Sequence, residues 1–367
     1  MRSRTPRFDR VIYTPHLIAS RVDVLFNRTV VAGMPGIPVV AGEVQYDRNS
    51  AVMARSTIQV ACNPDANPRL LPTATAGGPL SPYGYELQPW RGIRYGSGTD
   101  DVELISLGIF PTQRTSIDAV SLLATVEGSD RSQQVIDARL EADHVIPAGT
   151  NTGVAIEALI AAGVTGLTYA FQSTTNTTPL IVWPTGTDRW EAAQQMARDI
   201  SCELFFDHLG RCVLQSEPGA GSTPEITLRV GDGGQLTAAQ LVLDREGTYN
   251  RVIATGENSQ AATVYRGVAT VADPGSEAYY DGGFGRKVRF YASPFIASNE
   301  QAASAAASIL TTTSGLERGL SFTMLPNPAI SPGTIARIVL PALDIDELHI
   351  IDRFPMPLNA NALVEVG

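Results

Sequence analysis

Breakers set the first limit on this fold. Twenty-four Pro and 33 Gly are spread along 367 residues. Thr and Val recur between them, so the chain is cut into short strand-forming segments joined by turns. Hydrophobic residues make up 44% and charged residues 17%, which suits a folded chain with real cores, and the length allows two or three domains. No run approaches the ~18–20 apolar residues that a bilayer-spanning helix needs. The basic start "MRSRTPRFDRVIY" has no apolar stretch behind it. Cytoplasmic synthesis, with no membrane insertion by the chain itself, is the expectation.

Periodicity then divides the chain into three blocks. Residues 1–128 are β-rich. In "SRVDVLF", Val22, Val24 and Phe26 share one face; in "ARSTIQVAC", Ser56, Ile58, Val60 and Cys62 share one face and Arg55, Thr57 and Gln59 the other. "VELISLGIFPT" and "DAVSLLATVEG" supply two more strands, and the stretch from Asn63 to Gly92 is too rich in Pro and Gly for regular structure. Residues 129–218 form a central α+β module. There "TGVAIEALIAAGV" buries Ala155, Ile156, Leu159 and Ile160 and stops near Gly163, and "RWEAAQQMARDI" buries Trp190, Ala193, Ala197 and Ile200 behind an Asp188/Glu191 capping box. A hairpin, "CELFFDHLGRCVLQ", follows. With its turn centred on His208 and Leu209, Phe206 faces Arg211 and Cys202 faces Gln215, so Cys202 and Cys212 fall in different rows and free buried thiols are expected. Residues 219–367 are β-rich again, interrupted by one helix that opens at the Ser298/Gln301 pair and closes near Gly315.

Chemistry is sparse along this pattern. His16, His144, His208 and His349 are scattered, and Cys62, Cys202 and Cys212 lack metal-ligand spacing. There is no P-loop, nucleophile elbow or HExxH. Two acidic clusters remain: Asp100, Asp101 and Glu103, and Asp344, Asp346 and Glu347. Paired carboxylates of this kind serve glycoside hydrolysis or calcium binding, but both sit in turn contexts where acids are ordinary. No catalytic, cofactor or metal residue is assigned, and no cofactor is expected. The net charge of −10 disfavours tight nucleic-acid binding, while an acidic or neutral wall would let DNA slide past.

Three successions of residues resemble the hub proteins at the distal end of phage tails, most closely minor tail proteins of long-tailed phages of actinobacteria. They are "ELQPWRGIRY", "SLGIFPT" and "VEGSDRS"; the central helix–hairpin unit, with Asp207 near the turn and Gly210 after it; and "AASAAASIL" followed by "MLPNPAISPGTIARI" and "LHIIDRFPMPL", with Asn327, Pro328, Pro332 and Gly333 at the turns. The resemblance covers nearly the whole chain. It implies a mainly β protein in which two small tail-tube-like β-barrels, 1–128 and 219–367, flank the helix–hairpin module. It further implies a homotrimer that mimics a sixfold tube and closes it in the virion. Its partners there would be the distal tail ring, the C-terminal end of the tape-measure protein, tail fibres or a spike, and passing DNA bound without sequence specificity. A carbohydrate- or peptidoglycan-degrading tail-tip enzyme and a sugar-binding β-sandwich adhesin are the alternatives.

Overall fold

The computed structural model describes residues 1–34, 36–63, 70, 78–96, 101–217, 223–231, 233–256, 265–293, 296, 298–314, 317–359 and 362–366. It is mainly β, with 42% of the described residues in strands and 16% in helices, as the breaker pattern requires. The described helices are α1 (Pro6–Val11), α2 (Ser132–Asp137), α3 (Thr152–Ala161), α4 (Arg189–Asp199) and α5 (Asn299–Thr313). The chain divides into two compact units, one made of Met1–Ala238 with Phe322–Gly367, the other of Ala239–Ser321. The expected blocks 1–128, 129–218 and 219–367 are therefore cut differently by contact: the last stretch of chain packs with the first.

A nine-stranded sheet organises the larger unit. Its order is Thr29–Val30, Leu17–Phe26, Tyr85–Arg94, Phe110–Ile117, Leu123–Ser129, Ala54–Ala61, Val39–Asp47 and Arg353–Pro357, with Val102–Ser106 also paired to Tyr85–Arg94. Among the described residues this ladder is open, ending at Thr29–Val30 and Arg353–Pro357; it does not close as the expected barrel would. Alternation works as read from the sequence: Ser56, Ile58 and Val60 are buried while Arg55 and Thr57 are exposed. Val22 and Val24 are buried too. Phe26, at the strand's end, is exposed and rests against Tyr85 with ring centroids 4.7 Å apart.

Two expectations fail here for identifiable reasons. "VELISLGIFPT" is two strands, broken at Gly108, whose φ of 150° few other residues adopt. The expected loop from Asn63 to Gly92 ends in the strand Tyr85–Arg94, inside the sheet. Pro89 is tolerated because the neighbour on one side changes there. Trp90–Arg94 pair with Val102–Ser106, Glu86 and Leu87 pair with Pro111 and Phe110, and between them the Pro89 carbonyl accepts from Leu107 N at 2.9 Å. A missing N–H at that break costs no ladder bond. Residues 64–69 and 71–77 of the same stretch, Asp100 and Gly315 lie outside the described residues.

The central module packs α3 and α4 on the hairpin Cys202–Phe206/Cys212–Ser216, with Tyr169–Phe171 added in parallel to the second hairpin strand. Trp190 is its largest buried side chain and stacks on Phe206 at 5.4 Å. Asp188 caps α4 through Trp190 N at 2.8 Å and Glu191 N at 3.2 Å. The pair Thr334–Leu340/Ile345–Ile351 precedes Arg353–Pro357, so "ELHIIDRFPMPL" changes sheets at Asp352.

In the smaller unit, Arg266–Thr270, Arg251–Gly256 and Val288–Ser293 form a sheet with α5 on one face. Val252, Ala254, Ile296, Ala302 and Ala306 make its core. Gly267 lets α5 approach: a Cβ there would sit 2.2 Å from the Ala302 backbone.

Candidate assembly site at the sheet–hairpin junction

"GSDRS", residues 128–132, leads from the sheet into α2 and locks three parts of the larger unit together. Asp130 is buried and accepts from Ala54 N at 2.8 Å, from Ser132 N at 2.9 Å and from the Ser132 hydroxyl. Burial nonetheless pushes its carboxyl above the ordinary aspartate value. Arg131, also buried, forks onto Glu86 with Nε–Oε1 2.9 Å and Nη2–Oε2 2.7 Å, while Nη1 donates to Gly210 O at 2.9 Å. The fork is planar and bidentate, a geometry lysine cannot supply. Gly210 has a φ of 71°, and a Cβ there would meet Arg131 Nη1 at 2.7 Å.

Asp207 builds the hairpin turn. Its Oδ1 accepts from Leu209 N and Arg211 N, each at 2.9 Å, and its Oδ2 from Arg211 Nε at 2.8 Å. This turn is one residue longer than expected, so Phe206 faces Cys212 and Cys202 faces Ser216, not Arg211 and Gln215. The two cysteines still lie in different rows, and all three thiols are free and buried. Burial drives the Cys212 thiol far up, away from reactivity.

The turn docks through Ser106 Oγ, which donates to His208 O at 2.7 Å. Burial and the nearby Arg2 push His208 down to about 4, so its ring is neutral in ordinary buffers. Arg48 bridges Glu203 at 2.7 Å and Asp352 at 3.2 Å, tying the hairpin to the sheet change. Trp190 Nε1 donates to Ala51 O at 2.7 Å. Two cavities, of about 610 and 400 Å³, border this junction and share Met53, Asp130, Phe205 and Phe206. The larger one holds Arg48, Glu191, Glu203 and Arg198, charges of both signs.

Residues singled out in the sequence scatter by comparison. Asp101 is held by Arg7 at 2.8 and 2.9 Å, and Glu103 accepts from Thr5 and Tyr95. Asp346 is held by Arg337 through two 2.6 Å bonds, which lower its carboxyl. Asp344 stands in a left-handed turn, and Glu347 lies 3.7 Å from His349. Among the described residues no three His, Cys, Asp or Glu side chains gather as a metal would require. His16 bonds the Thr14 carbonyl and His144 lies on a short strand. Asn327 is buried, donates to Tyr13 Oη at 2.7 Å and accepts from Ala329 N at 3.0 Å. Its neighbour Pro328 accepts from Arg2 Nη1 at 2.7 Å. The resemblance thus points to turn-building residues that the fold uses, while Asp101, Glu103 and Asp346 of the acidic clusters are held in local hydrogen bonds and ion pairs.

Reading by residue type missed the buried arginines. Arg91 donates to the carbonyls of Pro357 and Asn359, and burial lowers it to about 10. Arg189 donates to Ala138 O at 2.6 Å and Leu159 O at 3.1 Å, at the ends of α2 and α3. One signal was present: among the 27 Lys and Arg, only Lys287 is a lysine.

No protein-family model matches the sequence, and no curated protein sequence does. Solved structures do match. The 43 kDa tail protein of prophage MuSo2 from Shewanella oneidensis aligns with a TM-score of 0.57 at 12% identity, over 94% of this chain and 97% of that one. A tail protein from Neisseria meningitidis MC58 aligns with a TM-score of 0.59 at 15% identity, over 95% of each chain. Prophage tail protein gp18 from Listeria monocytogenes EGD-e aligns at 0.51 and 12%, over 94% and 93%. Across nearly its whole length, the chain has the fold of these prophage tail proteins.

Proposed function

We propose that this chain is a structural hub protein of a bacteriophage tail tip, of the kind carried by long-tailed phages of actinobacteria. The reading places it at the distal end of the virion tail, after assembly in the host cytoplasm. Three copies form a ring that closes the tail tube, joins the distal tail ring and the end of the tape-measure protein, carries fibres or a spike, and leaves a channel for DNA. The N- and C-proximal β regions act as two tube-like elements per subunit, so three copies present sixfold symmetry. One observation carries this reading: the likeness to tail proteins runs end to end on both chains. The locks at Arg131, Arg48 and Arg91 support it, because they fix elements distant in sequence to one another.

Light scattering on the purified chain is expected to give about three times 39.1 kDa, alone or with the distal tail protein. Electron cryo-microscopy of virions should place the chain at the tail tip. A monomer that stays single with its partners present would overturn the proposal. Of the acidic candidates of the enzyme alternative, Asp101 and Asp346 are each paired with an arginine. Release of sugars from cell-wall preparations by the isolated chain would favour that alternative.

A further inference from the structure

The smaller unit carries a cluster that the hub reading leaves unused. Residues 239–321 hold seven Lys and Arg against eight Asp and Glu, so almost all of the net −10 lies elsewhere in the chain. Five of those cations gather at the end of the sheet where Arg251 and Val288 pair. Arg251 and Arg286 each lie 5.0 Å from the Tyr280 ring centroid, Lys287 lies 5.0 Å and Arg289 5.7 Å from that of Tyr249, and Arg245 lies 4.7 Å from that of Phe284. The cluster is built on a buried polar support. Asn250 is fully buried, accepts from Lys287 N at 2.8 Å and donates to Gly285 O at 2.7 Å, fixing the segment that bears Arg286, Lys287 and Arg289. Among the described residues only Arg286 has a carboxylate partner, Asp281. Arg251 Nε is buried with no partner among them.

We infer that this cluster is a binding site for the phosphodiester backbone of DNA, contacted without reading bases. Rings lying under the cations hold the guanidinium groups in place. Arg251 also donates through Nη1 to Tyr280 Oη at 3.0 Å and Arg245 through Nη2 to Phe284 O at 3.3 Å, which leaves their remaining N–H groups and those of Arg289 for phosphate oxygens. The rings of Tyr249, Tyr280 and Phe284 are thereby taken and offer bases no stacking face, so the site is assigned to duplex DNA, held through its backbone. Four cations without a carboxylate partner among the described residues, Lys287 with its Nζ on the Arg245 and Glu246 carbonyls, make a weak contact that slides, which is what a conduit needs. The choice of DNA as occupant rests on the hub reading, and it departs at this one place from the acidic or neutral wall expected of a channel.

The test is fluorescence anisotropy of a labelled duplex titrated with the full chain across a salt series. A Kd of about 10⁻⁵ M at about 50 mM salt is expected, with a log–log salt slope of about −3 to −4. The triple variant Arg245→Gln, Arg251→Gln, Arg289→Gln should bind at least tenfold more weakly, with the slope falling to about −1. Thermal melts establish that the variant is folded. A control with the same charge loss elsewhere, Arg10→Gln, Arg114→Gln, Arg353→Gln, should bind as the parent does. Absent binding at about 10⁻⁴ M protein, an unchanged triple variant, or an equal loss in the control would each overturn the site. Light scattering on the same samples separates the two readings: a ring that ignores DNA sinks only this site, and a DNA-binding monomer sinks only the hub.

Discussion

At the scale of single residues, the buried arginines of this protein are a means of reaching carbonyl oxygens. Arg2, Arg91, Arg131 and Arg189 are buried and donate to backbone carbonyls of segments distant in sequence. A guanidinium offers five donors in a fixed plane and stays charged when buried, so one side chain can satisfy a carboxylate and a carbonyl together. Arg131→Ala should therefore cost about 3–5 kcal/mol by urea unfolding, since it strands the buried Glu86 carboxylate. His208 gives a pH prediction. Its folded value of about 4 lies below the ordinary 6.5, so the unfolded chain binds the extra proton first. The stability it contributes is fully present above pH ~6.5 and is lost as pH falls through the window down to ~4, by up to about 2–3 kcal/mol. His208→Gln should flatten the stability curve in that window; an unchanged slope would place the titration elsewhere.

Elements were legible where a cap and a face coincide. The helix α4 begins where Asp188 predicts and buries Trp190, Ala193 and Ala197, and α5 begins after Ser298, whose hydroxyl accepts from Gln301 N at 3.2 Å. Asp188→Ala should cost about 1 kcal/mol, read in the same denaturant experiment. Replacing Gly267 by Leu should do more damage, because its Cβ would fall on the α5 backbone; a lower helical signal on circular dichroism would report α5 displaced. Elements that broke the local rules were not legible. The strand Tyr85–Arg94 contains Pro89, and only the arrangement of its two neighbours makes that residue harmless. The hairpin was legible as a hairpin, yet its register was off by one, because the Asp207 carboxylate organises a longer turn than residue preference suggests.

For the whole molecule, the two units differ in how much they bury. The smaller sheet rests on a core of Val252, Ala254, Ile296 and two alanines of α5, whereas the larger unit buries several aromatic and many aliphatic side chains. Thin cores open more readily. Amides of Arg251–Gly256 should exchange with deuterium faster than those of Ala54–Ala61; equal protection would mean the units unfold as one. What the sequence determined alone was local: the mainly β class, which residues of a strand turn inward, where α3, α4 and α5 begin, and the presence of the hairpin. All of these follow from periodicity and capping within a few residues. Tertiary structure alone decided that Arg353–Pro357 forms one edge of the first sheet beside Val39–Asp47, and that arginines far apart in the chain find their carbonyls. A strand's alternation says which face is buried but carries no mark of its partner; that choice belongs to the packing of the whole chain, where the pairing burying most apolar surface and leaving fewest carbonyls unmet prevails.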